Sequence, residues 1–231
     1  MIRSLTGTSL IEYPGKICSI LFLSGCNLHC PFCHNPELVR PDMLDEECGL
    51  SHEQAISELK AREGFIEAVT ITGGEPLLYD GIEELTGQIK RETSLSVKLD
   101  TNGTLPDRLN GILHHVDYVA MDLKSSPRGY LRATGEKAVF GDIRESIGII
   151  RSLPAYEFRT TMVPGIVDRD GVMEILSETG RVNRYILQTF HSGKTLSPEL
   201  TGLPSYSRDY LEETAEAIRK NGLAAEVSIR P

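Results

Sequence analysis

The sequence predicts an α/β fold with a mainly parallel sheet, built as a partial (β/α)6 TIM-like barrel open on one side. Three observations lead there. Apolar runs rich in β-branched residues alternate with amphipathic stretches along the chain. There are six such runs and a seventh late one, fewer than the eight strands of a closed barrel. The unusual polar motifs follow the ends of these runs, where parallel α/β sheets place their active sites. A doubly wound sheet has the same periodicity and is the competing geometry.

The predicted strands cover residues 17–23, 68–72, 96–100, 118–122, 157–163 and 185–189, with the late run at 225–229. The predicted helices cover 51–62, 81–92, 105–115, 140–152, 172–179 and 207–221. Ser51 is placed to cap the first of these, with Gln54 completing a capping box. Such alternation implies right-handed crossovers between parallel neighbours. Residues 1–16 read as a short leading extension and 17–231 as the partial barrel, together one domain over 1–231. The motifs after successive strands begin at Cys26, Gly73, Asp100, Asp122, Pro164 and Phe190, so all six are expected at one mouth.

The chain has 231 residues, is 40% hydrophobic and carries a formal net charge of −9. An acidic surface repels phosphate backbones, which argues against a nucleic-acid partner. No apolar run approaches the ~20 residues of a membrane helix, and residues 1–13 lack the pattern of a signal peptide. The reading is a cytoplasmic protein with reduced thiols and no membrane partner. Of five cysteines, three crowd together, which favours metal binding over disulfides.

Those three form the loop Ser24-Gly25-Cys26-Asn27-Leu28-His29-Cys30-Pro31-Phe32-Cys33-His34-Asn35, with C-x3-C-x2-C spacing. Thiolates are strong ligands for iron–sulfur clusters. Three cysteines on a four-iron cubane leave one iron without a protein ligand, as a catalytic metal site requires. Other readings stay open on the loop alone. His29 or His34 completes a Cys3His zinc site; Cys30 to His34 formally matches a c-type haem attachment; Cys30 and Cys33 match a thioredoxin-like pair; the thiols pack in the core. Cys18 reads as a packed residue and Cys48 as incidental.

After the second predicted strand comes Thr72-Gly73-Gly74-Glu75-Pro76. Two glycines let a ligand approach the backbone, and Glu75 accepts hydrogen bonds from an ammonium group. Alone, this is also an ordinary strand–helix turn. Together the two motifs resemble the radical S-adenosylmethionine (SAM) superfamily. Cys26, Cys30 and Cys33 match its cluster motif, Phe32 its adenine-packing aromatic, and Gly73, Gly74, Glu75 and Pro76 its SAM-amino motif. Ile11-Glu12-Tyr13-Pro14-Gly15-Lys16, Cys33-His34-Asn35-Pro36-Glu37, Asp100-Thr101-Asn102-Gly103 and Met121-Asp122-Leu123-Lys124 narrow the resemblance to glycyl-radical-enzyme activases. Within these it is nearest the longer type of anaerobic ribonucleoside-triphosphate reductase activating protein.

The resemblance implies one [4Fe–4S] cluster and SAM as cofactors, since only Cys48 lies beyond Cys33. It implies that His34, Asp100, Asn102, Asp122, Lys124, Arg159 and His191 line the SAM site. It also implies a monovalent cation near the SAM carboxylate, on Asp100, Thr101, Ala120 and Asp122. By the plainer reading, Asp100 and Asp122 cap turns, Arg159 makes a strand-end salt bridge, and His191 is a surface or core residue. The activity implied is one-electron cleavage of SAM, followed by removal of a hydrogen from a glycine of a partner glycyl radical enzyme. A flavodoxin or ferredoxin is the implied electron donor. A radical SAM enzyme acting on a small molecule, such as a deazapurine-forming enzyme, is the first rival. A non-enzymatic iron–sulfur or zinc module is the second.

Overall fold

The computed structural model describes residues 1–39 and 49–231. Cys48 and the acidic stretch before it lie outside the described residues. Eight strands follow one another in chain order in a mostly parallel sheet that does not close. The chain divides into two compact units. One holds Met1–Asn27, Glu37–Thr101 and Asp107–Val119; the other holds Leu28–Pro36, Asn102–Pro106 and Ala120–Pro231.

In the first unit, β1 (Ile2–Tyr13) and β2 (Lys16–Leu23) form an antiparallel hairpin. Pro14 and Gly15 make its turn, with Gly15 at φ +74, which is type II turn chemistry. The leading residues are thus a strand of the sheet. Their inward positions Arg3, Leu5, Gly7 and Ser9 are only half-buried and mostly polar or small, so no apolar alternation announces them. Then β2 pairs in parallel with β3 (Ala68–Gly73), and β3 with β4 (Ser96–Thr101).

Leu21, Leu23, Val69, Ile71, Val97 and Leu99 are fully buried. Within each strand these residues are two apart and share one face. Thr70 and Lys98, on the other faces of β3 and β4, are buried too, so those strands are covered on both sides. The short helix α1 (Pro36–Val39) follows the cysteine loop. Helix α2 (His52–Arg62) carries the expected capping box: Gln54 N–H donates to Ser51 Oγ (3.1 Å) and Ser51 N–H to Gln54 Oε1 (2.8 Å). Helix α3 (Ile82–Glu92) buries Ile82, Leu85 and Ile89. Helix α4 (Pro106–Ile112) is shorter than predicted and ends in a 3-10 turn at Leu113–His115.

β5 (Tyr118–Asp122) ends in the second unit, and the short α5 (Tyr130–Ala133), α6 (Phe140–Arg151), β6 (Tyr156–Met162), α7 (Arg169–Thr179), β7 (Val182–Thr189), α8 (Arg208–Lys220) and β8 (Ala224–Arg230) follow. Strands β6, β7 and β8 pair in parallel. Helix α7 starts earlier than predicted because Asp168 caps it, accepting from Gly171 N–H at 2.8 Å. Phe158, Met162, Tyr185, Ile186 and Leu187 form the core here. Glu157, fully buried in β6, accepts both guanidinium ends of Arg230 at 3.0 Å, tying β8 to β6.

Candidate active site

The predicted site residues fall into two sets. Cys26, Gly73, Gly74, Glu75, Pro76, Asp100 and Thr101 belong to the first unit. Cys30, Phe32, Cys33, His34, Asn102, Ala120, Asp122, Lys124, Arg159 and His191 belong to the second.

In the first set, the Gly-Gly pair is gripped by the start of the cysteine loop. Gly74 N–H donates to Leu23 C=O (2.9 Å) and Glu75 N–H to Gly25 C=O (2.8 Å). A Cβ on Gly73, which sits at φ +125, would lie 2.2 Å from the Leu23 oxygen. One on Gly74 would lie 2.0 Å from the Gly25 oxygen and 3.3 Å from Cys26 Cβ. The chain's own backbone packs closely against both glycines, and this contact sets where Cys26 begins. Glu75 is buried, and its Oε1 accepts from Leu77 N–H (3.0 Å) and Thr101 Oγ1 (2.9 Å). Pro76 opens the 3-10 turn that Glu75 caps. The ammonium of fully buried Lys98 donates to Asp100.

In the second set, the rest of the cysteine loop is held on two sides. His29 N–H donates to Thr134 C=O (3.1 Å), and Ser197 N–H donates to Pro31 C=O (2.9 Å). Cys33 N–H closes a turn on Cys30 C=O at 3.0 Å. Phe32 is buried, while His34 and His191 are exposed with ring centroids 6.4 Å apart. Asn102 uses Oδ1 on Thr104, accepting from its N–H (3.0 Å) and hydroxyl (2.6 Å). Ala120 is fully buried in β5.

Asp122 is the electrostatic hub of this set. Its Oδ1 accepts from Arg159 Nε (2.7 Å) and its Oδ2 from Lys124 Nζ (3.0 Å). Burial pushes its pKa up, but Arg159 and Lys124 more than reverse this and hold the carboxyl well below the usual range. For Lys124, burial pulls down, while Asp122, Cys30 and Cys33 pull up, so the ammonium stays protonated beyond its ordinary range. The salt bridge read for Arg159 is thus present, with Asp122 as its partner.

The donor set fits an iron–sulfur cluster. None of Cys18, Cys26, Cys30 and Cys33 is in a disulfide. Cys30 and Cys33 lie close enough to Lys124 to act electrostatically on its ammonium. The Tyr130 hydroxyl is buried beside Lys124 and Cys30, and burial raises its pKa. Among the described residues no three Cys, His, Asp or Glu side chains are arranged around a single metal ion. Cubane thiolates bind separate irons and need no common point. Cys18 is buried in β2, where desolvation raises its pKa and Lys98 pulls it back.

Two participants escaped the sequence reading. Lys98 lies inside the predicted strand 96–100, and its signal was the spacing to Asp100, since residues two apart share a strand face. Tyr130 lies in a short helix with no periodic pattern to announce it.

Comparison with known proteins places these residues in a family. The sequence pattern of the Radical SAM superfamily matches residues 20–176. A Methanocaldococcus jannaschii protein named "Putative glycyl-radical enzyme activating enzyme" is 30% identical over 229 residues, covering 95% of this chain and 92% of its own. The pyruvate formate-lyase-activating enzyme of Clostridium pasteurianum is 29% identical over 152 residues, 63% of this chain and 62% of its own. A 7-carboxy-7-deazaguanine synthase of Methanothermobacter thermautotrophicus is 38% identical over 130 residues, 54% of this chain and 47% of its own. Among solved structures, QueE from Escherichia coli shares the fold, with a TM-score of 0.60 and 18% identity over 99% of this chain and 92% of that one. No helix among the described residues is long and apolar enough to cross a membrane. The superfamily implies a [4Fe–4S] cluster and SAM, and this chain belongs to it, as a radical SAM enzyme related to the activators of glycyl radical enzymes.

Proposed function

We propose that this protein activates a glycyl radical enzyme, with anaerobic ribonucleoside-triphosphate reductase as the partner. One observation carries the reading: similarity to a named activating enzyme extends over 95% of the chain, whereas the deazaguanine synthase match stops at 54%. In this reading Cys26, Cys30 and Cys33 hold three irons, and the fourth is left to the amino and carboxylate groups of SAM. The cluster these cysteines would hold would supply one electron, drawn from a flavodoxin or ferredoxin, for cleavage of SAM at S–C5′ to methionine and, with a hydrogen atom from a partner glycine, 5′-deoxyadenosine.

The chain's own residues bind and orient. Gly73, Gly74, Glu75 and Pro76 receive the SAM amino group, and Phe32 packs the adenine. Asp100, Asn102, Asp122 and Lys124 line the remainder of the site, with His34 and His191 at its exposed edge. Asp122 keeps Lys124 charged and holds both Lys124 and Arg159 in place for a carboxylate. No general base is needed, because a hydrogen atom rather than a proton is removed. A cytoplasmic setting suits the reading, since the three thiols must stay reduced.

A second reading rests on the synthase match: a radical SAM enzyme acting on a small heterocycle. One experiment separates the two. The reconstituted, reduced protein is mixed anaerobically with SAM and purified anaerobic ribonucleoside-triphosphate reductase, and the mixture is examined by EPR. A glycyl doublet on the reductase, absent without SAM, is expected. SAM cleavage with no radical on the reductase removes this partner.

A further inference from the structure

We propose that the Lys98 ammonium is the permanent counter-charge of Asp100, so that no sodium or potassium ion binds there. The resemblance to activases implies a monovalent cation on Asp100, Thr101, Ala120 and Asp122, and the charges of this chain do not fit one.

Lys98 has no solvent exposure, and its Nζ donates to Asp100 Oδ1 in β4. The two residues lie two apart on one strand and so share a face. A lysine this deeply buried keeps its charge only beside an opposite charge. Its neighbour in register on β3 is Thr70, which is buried and donates to Cys18 Sγ at 3.7 Å. Its neighbours on the β3 side are thus neutral, and Asp100 is the anion it donates to. The Thr101 hydroxyl donates to Glu75.

In the second unit Asp122 carries two fixed cations, one on each oxygen. A hard cation seeks oxygens with uncompensated negative charge. Each carboxylate of the implied set already has at least one positive group within hydrogen-bond distance, and another cation meets like-charge repulsion there. Lys98 is thus a positioning residue. It fixes the Asp100 carboxylate with a charge that salt conditions do not alter.

The inference draws on the proposed SAM site only to name the ion displaced. Its test needs no SAM turnover. The full-length protein and Lys98→Met are melted in NaCl, KCl and choline chloride at equal ionic strength, choline being too large for a buried carboxylate. The unaltered protein is expected to melt at the same temperature in all three salts. Lys98→Met, which keeps length and loses charge, is expected to melt about 10 °C lower in choline chloride. It should recover at least half of that loss in NaCl or KCl.

Stabilisation of the unaltered protein by sodium or potassium over choline overturns the proposal. So does a Lys98→Met protein that responds alike to all three salts. If Lys98→Met does not fold, the double variant Lys98→Met/Asp100→Asn decides. Recovery of folding with no salt preference supports the charge pairing. Failure to fold shows that the lysine matters through packing and overturns the proposal. The dissociation constant of SAM for the reconstituted protein should likewise be the same in the three salts.

Discussion

Gly74→Ala is expected to lower the melting temperature by about 10 °C and to cut the iron held after reconstitution by more than half. The new Cβ would sit 2.0 Å from the Gly25 oxygen and 2.6 Å from its carbonyl carbon. Both are backbone atoms, so no side-chain rotation relieves the clash. The chain must move apart where Gly74 N–H bonds Leu23 and Glu75 N–H bonds Gly25. Overpacking costs about 1–3 kcal/mol, and each backbone hydrogen bond lost adds about 1 kcal/mol. The total is about 3–5 kcal/mol. The displaced segment leads directly into Cys26, so the loss of iron follows from the same clash. Gly148→Ala in α6 is the control. Nothing lies within 4 Å of its added Cβ, and alanine in a helix interior stabilises by up to about 1 kcal/mol. If Gly74→Ala and Gly148→Ala melt alike and hold equal iron, the strand-end clamp described here is wrong.

Asp122→Asn should cost about 3–5 kcal/mol at neutral pH by chemical denaturation, because it leaves Lys124 and Arg159 as neighbouring cations without their shared anion. The pH dependence carries a second signature. The folded pKa of Asp122 is depressed, so its stabilisation is present above the unfolded value of about 3.9 and is lost as pH falls through the folded value. Lys124 behaves in the opposite sense. Its folded pKa is raised, so its contribution is present below about 10.4 and is lost as pH rises beyond that. Without Asp122, burial and Arg159 pull the Lys124 pKa down. The alkaline loss of stability should then begin at lower pH than in the unaltered protein, and the acid loss should be shallower. An unchanged pH profile, whatever the drop at neutral pH, would show that the variant merely disturbs packing.

The parts of the fold that were legible share a physical cause. Strands β2 to β5 are buried enough that β-branched and apolar residues run together, as in Ala68–Gly73 and Tyr118–Asp122. The hairpin strand β1 has only Ile2 and Tyr13 fully buried, and its half-buried face carries Arg3, Gly7 and Ser9. Nothing in its apolar pattern separates it from an extended tail.

The cysteine loop was readable because few chemistries use three thiols at that spacing. The glycine pair was readable too; what its sequence did not show is that the Leu23 and Gly25 backbone lies against it. Lys98 was invisible because a charge in a buried run carries meaning only once its partner is known. Asp122 was expected to face SAM or cap a turn. Its grip on both Lys124 and Arg159 depends on β5 and β6 ending together, as Leu123 N–H donating to Arg159 C=O at 2.8 Å records. Sequence spacing does not encode that adjacency.

The proposed chemistry requires three thiolates that together hold iron–sulfur with one position left for SAM. Its most direct measurement is the 5′-deoxyadenosine released from SAM by anaerobically reconstituted, dithionite-reduced protein, with single Cys→Ala variants alongside. The unaltered chain and Cys18→Ala should both release it, while Cys26→Ala, Cys30→Ala and Cys33→Ala should each fall to background. Release by any of those three at the level of the unaltered chain, or none from the unaltered chain with its iron fully loaded, would contradict it.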